Sequence, residues 1–102
     1  MKIAIDVMGG DNFPSANIDG VLDYLDNTSS NDVQFILVGD EPLIKKYLIN
    51  KNKTDTALIS IINAPEIINN EDKPSRIFKT KPNSSIVKSI DLLRNKEADA
   101  LI

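Results

Sequence analysis

Val33-Gln34-Phe35-Ile36-Leu37-Val38 and, further along, Leu58-Ile59-Ser60-Ile61-Ile62-Asn63 are nearly continuous apolar, β-branched runs. They lack the strict polar alternation of a half-solvated strand, so they read as strands covered on both faces of a parallel sheet. Two shorter runs of the same kind flank them, residues 3–7 (Ile-Ala-Ile-Asp-Val) and residues 98–102 (Ala-Asp-Ala-Leu-Ile). Between the runs the periodicity changes to that of helices. Ile18, Val21, Leu22 and Leu25 fall on one face behind Pro14, a residue suited to a first helical turn. Asp40, Glu41 and Pro42 open a second helix that turns Leu43, Ile44, Tyr47 and Leu48 inward. A third begins at the capping residues Asn83, Ser84 and Ser85 and presents Ile86, Val87, Ile90 and Leu93. Residues 66–82 are polar, broken by Pro74 and Pro82, and read as a loop with one short helical turn around residues 75–79.

Strands alternating with helices give βαβ units, hence an α/β fold with a mostly parallel sheet and helices on both faces. The length, 102 residues, is that of one domain at most. The last apolar run is followed by no helix, and a strand needing cover on both faces is an unusual place for a domain to stop; residues 1–102 are therefore expected to be one amino-terminal α/β part of a larger catalytic domain, truncated after a strand.

Composition narrows the chemistry. There is no Cys and no His, which removes thiolate nucleophiles, disulfides, the commonest general base and the commonest metal ligands. A net charge of −3 and a pI near 4.8 argue against a nucleic-acid partner. No stretch reaches the roughly 18 apolar residues of a membrane span, and Met-Lys-Ile-Ala-Ile-Asp is not organised as a signal peptide, so a cytoplasmic location is expected. Carboxylates, Lys and Arg, hydroxyls, Asn and backbone amides remain to do any work.

Three segments offer those groups. Asp6-Val7-Met8-Gly9-Gly10-Asp11-Asn12 follows the first strand, at the carboxyl edge where open α/β sheets bind ligands. Paired glycines can turn amides toward an anion, and the next helix adds a positive terminus. The segment is neither a dinucleotide fingerprint nor a Walker loop. Asp6 and Asp11 would repel a directly bound phosphate and suit the orientation of hydroxyls, amides or a Lys. A tight Gly-Gly turn followed by a helix cap accounts for the same residues. Gly39-Asp40-Glu41 reads as a turn and cap without further role. The third segment, residues 73–85, gathers Lys73, Arg76, Lys79 and Lys81 and then offers Ser84 and Ser85 at a helix start. It reads either as an anion site or as a solvated basic loop with a Ser cap.

The opening MKIAIDVMGGDNFP resembles the start of the bacterial phosphate acyltransferases (acyl-ACP:phosphate transacylases, ACP being acyl carrier protein), whose signature runs Ile-Ala-(Ile/Val)-Asp-Ala-Met-Gly-Gly-Asp-x-x-Pro. FILVGDE, Glu66-Ile67-Ile68 through Pro74 and Arg76, then Lys79, Lys81, Ser84 and Ser85, and Glu97-Ala98-Asp99-Ala100 continue the resemblance in register over the whole chain. Val7 stands in place of Ala, Asn63 where many members have His, and Asn70-Glu71 where Met-Asp is frequent; Pro82 interrupts the usual basic run. In the family the corresponding strand leads into a Ser-Ala-Gly-Asn-Thr-Gly loop of the active site, which residues 1–102 do not include.

The resemblance implies a three-layer α/β/α, Rossmann-like fold related to phosphotransacetylases and isopropylmalate dehydrogenases. It implies transfer of a fatty acyl group from acylated ACP to inorganic phosphate, giving acyl phosphate for phospholipid synthesis. It also implies a homodimer, peripheral at the membrane surface through parts outside this chain, with no cofactor and no metal. On it, Gly9, Gly10 and Asn12 shape the pocket, Asp6 and Asp11 orient polar groups, and Lys81, Ser84 and Ser85 bind phosphate or the thioester's pantetheine. Residues 1–102 alone are expected to be inactive. A noncatalytic anion- or nucleotide-binding α/β module is the alternative from another class.

Overall fold

The computed structural model describes residues 1–10, 12–28, 32–53, 57–69 and 71–102. Strands β1 (Lys2–Asp6), β2 (Gln34–Gly39), β3 (Ile59–Asn63) and β4 (Ala100–Leu101) form one all-parallel sheet in the order β3-β2-β1-β4. The register sets Asp6 opposite Val38 and Gly39 opposite Asn63, so the strands end together at one edge. Helices α1 (Ser15–Asp26) and α2 (Glu41–Asn50) carry the chain from β1 to β2 to β3 in one direction. After a single turn, α3 (Ile77–Thr80), helix α4 (Ser85–Arg94) returns it to the free side of β1. Because parallel crossovers are right-handed, reversing direction puts the returning helix on the opposite face. Three layers result, as the alternation of strand and helix required.

Two cores record that division. On one face Ile5, Val7, Phe35 and Leu37 pack with Ile18, Val21 and Leu22 of α1 and with Ile44 and Leu48 of α2. On the other Ala4, Ile36 and Val38 meet Leu92, Ala64 and Ala98. Successive residues of β2 thus serve alternate cores, which is why that strand carries no polar residue from Phe35 to Val38. Asp40 caps α2 by accepting a hydrogen bond from the Leu43 amide (3.2 Å), and the Glu41 amide donates to Asn63 Oδ1 (3.0 Å). Among the described residues no helix is long and apolar enough to cross a membrane.

Three elements differ from the sequence expectation. In α2, Leu43, expected inward, is 37% exposed, because packing on the sheet selects the stripe of Ile44 and Leu48 one position further on. The last strand, expected over residues 98–102, is only Ala100–Leu101. Ala98 is instead buried in the second core, and Asp99 closes onto Lys2 through backbone and side chain (2.7 Å each). Helix α4 was expected to turn Leu93 inward, yet Leu93 is 40% exposed while Ser85, Val87, Ser89 and Leu92 are buried. Short serine side chains let the helix axis approach the sheet closely, and a helix face chosen by packing need not be its most apolar one.

Candidate functional site

The strand order reverses at β1, between β2 on one side and β4 on the other. In doubly wound sheets, loops leaving such neighbours part in opposite directions and leave a crevice at the carboxyl edge. A cavity of about 400 Å³ lies in that position, lined by Asp6, Met8, Gly9, Gly10 and Phe13 after β1, by Glu66, Ile67 and Ile68 after β3, and by Ser85 and Ile86 at the start of α4.

Each wall has a local cause. After β1 the chain turns because the Met8 amide donates to Asp6 Oδ1 (3.0 Å) and Gly10 adopts φ +85°, which only glycine takes without strain. The turn is then held from α1, where Asn17 Nδ2 donates to the carbonyls of Val7 (3.1 Å) and Gly9 (2.9 Å). The second wall is sewn to α4: the Glu66 amide donates to the Asn83 carbonyl (3.1 Å), and the Asn83 amide donates back to Glu66 Oε1 (2.8 Å). The floor is the amino terminus of α4, whose first intrahelical bond runs from the Lys88 amide to the Ser84 carbonyl (3.0 Å). Helix geometry leaves the amides before Lys88 without helical acceptors. Ser84 does not cap them; its hydroxyl is buried with no hydrogen-bond partner among the described residues. Ser85, 7% exposed, reaches the cavity from the same turn.

Of the residues singled out in the sequence, Asp6, Gly9, Gly10 and Ser85 therefore share one cavity. Ser84 lies directly behind it, at the bridge to Glu66. Asn12 is exposed and acts through its carbonyl, which accepts from the Ala16 amide and the Ser15 hydroxyl at the entry to α1. Asp11 falls outside the described residues. Lys81 is not in the lining. Its ammonium sits 2.9 Å from Asp72 Oδ2 and 2.6 Å from the Ile67 carbonyl, so it braces the loop behind the second wall. The Asp72 carboxyl, accepting from the Asn69 amide and beside Lys81, is held below the ordinary carboxylate range.

Asn17 and Phe13 join the site without a role that their place in the sequence announces. Asn17 left no signal beyond being a polar residue beside the inward Ile18. Ile67 and Ile68 were visible only as an apolar pair inside an otherwise polar loop.

The chain is thus a doubly wound parallel α/β module with a ligand-sized cavity at its point of strand-order reversal. It belongs to the family described as "Fatty acid synthesis protein", whose model matches residues 1–102. It is 39% identical to a phosphate acyltransferase of Acetivibrio thermocellus over 102 residues, all of this chain and 29% of that protein. A phosphate acyltransferase of Bacillus pumilus is 42% identical over the same span, again 29% of its length. One from Streptococcus pneumoniae is 42% identical over 101 residues, 99% of this chain and 28% of that protein. The chain thus spans well under a third of the length of these curated relatives.

Proposed function

We propose that this chain supplies one wall of the active site of a phosphate acyltransferase, as part of a larger catalytic domain. The reaction is attack by an oxygen of inorganic phosphate on the carbonyl carbon of an acyl-ACP thioester. A carbon–oxygen bond forms and the carbonyl oxygen takes up negative charge. Collapse of that intermediate breaks the carbon–sulfur bond, the thiolate leaves with the bonding pair, and the phosphate proton ends on sulfur. Acyl phosphate and free carrier thiol balance the equation without a covalent enzyme intermediate, which suits a chain with neither Cys nor His.

The observation that carries this reading is the shared cavity of the Gly9-Gly10 turn and the uncapped α4 terminus, in a chain matched along its whole length by phosphate acyltransferases. Preorganised amides and a buried hydroxyl are the donors a developing oxyanion needs. In this reading Ser85 and the first-turn amides of α4 face the carbonyl oxygen, Gly9 and Gly10 admit the substrate close to backbone, and Asp6 fixes the turn. Ser84 supports the α4 terminus and Asn12 the entry to α1, and Asp11 keeps the orienting role that the resemblance implies. Lys81 holds the second wall and would need to leave Asp72 to meet phosphate itself. The longer enzyme is read as a homodimer in the cytoplasm, peripheral at the membrane. The test is acyl phosphate formation from acyl-ACP and phosphate by the longer protein. Ser85→Ala is expected to lower kcat by roughly a hundredfold; unchanged turnover would take Ser85 out of the site.

A further inference from the structure

We infer that this cavity receives the uncharged acyl end of the thioester, not phosphate. The inference rests on the acyl-transfer reading and assigns one of its two substrates to this wall. Asp6 and Glu66 both line the cavity, and no Lys or Arg does among the described residues. A phosphate, a mixture of monoanion and dianion at neutral pH, would enter beside two carboxylates without a counter-charge. The cation that the sequence places nearest, Lys81, is already paired with Asp72.

The remaining lining suits a different guest. Met8 and Ile86 contribute apolar walls, and three large apolar side chains stand at the cavity while still open to solvent: Phe13 at 44%, Ile67 at 57% and Ile68 at 38%. They come from separate loops, after β1 and after β3, and converge although α1, β2, α2 and β3 lie between them in the chain. Apolar side chains gathered at a concave site are stabilised when an apolar ligand takes them out of water. Ser85 is the polar exception. The residue is nine-tenths buried, and its hydroxyl can meet one carbonyl oxygen. One hydroxyl donor amid apolar walls and acidic edges matches an acyl thioester, which has one carbonyl and a hydrocarbon tail. Phosphate must then be held by groups outside this cavity.

The test is a titration of the 15N-labelled chain, followed by NMR, with S-octanoyl-N-acetylcysteamine and separately with inorganic phosphate. The thioester is expected to shift the amides of residues 8–10, 67, 68 and 85, and phosphate to leave them in place. Ile68→Asp, at an exposed position that does not threaten folding, is expected to weaken the thioester at least tenfold. Phosphate moving those amides would overturn the inference. So would thioester shifts confined to Val21 and Tyr24, which line a separate apolar groove beside α1, or no shifts at all. If the thioester binds here but the longer protein forms no acyl phosphate, the acyl-transfer reading fails and the cavity assignment stands. If acyl phosphate forms while the thioester leaves these residues untouched, only the cavity assignment fails.

Discussion

Lys81 Nζ lies 2.9 Å from Asp72 Oδ2 and 2.6 Å from the carbonyl of Ile67, so one ammonium ties the loop after β3 to the approach to α4. The side chains of both charged partners are about four-fifths buried, at 21% and 19% exposure, which shields the pair from solvent. Lys81→Ala is expected to lower the melting temperature by a few degrees and to speed amide exchange across residues 66–72. In the longer enzyme it should raise KM for the thioester and leave KM for phosphate in place. A change in phosphate KM alone would make Lys81 a phosphate ligand after all.

The same pair sets an acid limit. The Asp72 carboxyl is held below its ordinary value of 3.8, first by the Asn69 amide and then by Lys81. Its contribution to stability is therefore fully present above 3.8 and is lost as pH falls through the lower folded value. The gap in melting temperature between the wild type and Asp72→Asn should narrow as pH drops from about 5 to about 3. At the alkaline end Tyr47 behaves in mirror fashion. Its hydroxyl donates to Asp19 and its pKa is raised above 10.0, so that contact is present below 10.0 and lost as pH rises through the folded value. Tyr47→Phe should flatten the alkaline limb of the same profile.

Gly39 is a packing constraint on the cavity. A Cβ there would stand 2.8 Å from Met8 Cγ and 2.9 Å from Val7 Cγ2. Met8 can swing away, but Val7 is fully buried. Gly39→Ala is expected to destabilise the fold by roughly 1–3 kcal/mol and to displace Met8 from the cavity wall. Urea denaturation gives the first quantity, and the Met8 methyl resonance reports the second.

Asn17 holds the Gly9-Gly10 turn from outside the turn. Asn17→Leu removes two donated hydrogen bonds and should cost about 1–2 kcal/mol. Exchange of the Gly9 and Gly10 amides should accelerate more than that of β2. An equal acceleration throughout would mean that Asn17 stabilises the whole fold and not this turn.

Leu37 is fully buried at the centre of the first core. Leu37→Ala is expected to lower the unfolding free energy by 2–5 kcal/mol, on the order found for buried leucines elsewhere. A loss under about 1 kcal/mol would mean that the α1–α2 face repacks freely.

The sequence by itself determined the sheet and its direction. Apolar runs such as residues 35–38 must be covered on both faces, and helices long enough to cross between them make the pairing parallel; hydrophobic periodicity is a local property and survives in the string of letters. The turn after β1 was legible for a similar reason, since Gly-Gly after a strand restricts what the backbone does there. Only the tertiary structure decided which side chains share the cavity. Ser85, Gly9 and Ile67 lie far apart in sequence, and their meeting depends on α4 crossing back over the sheet, a consequence of the β3-β2-β1-β4 order. It also decided Lys81, which as a letter beside Ser84 and Ser85 offers charge to any anion. The nearest anion in space proved to be Asp72, and a charge follows distance through the fold, not position along the chain.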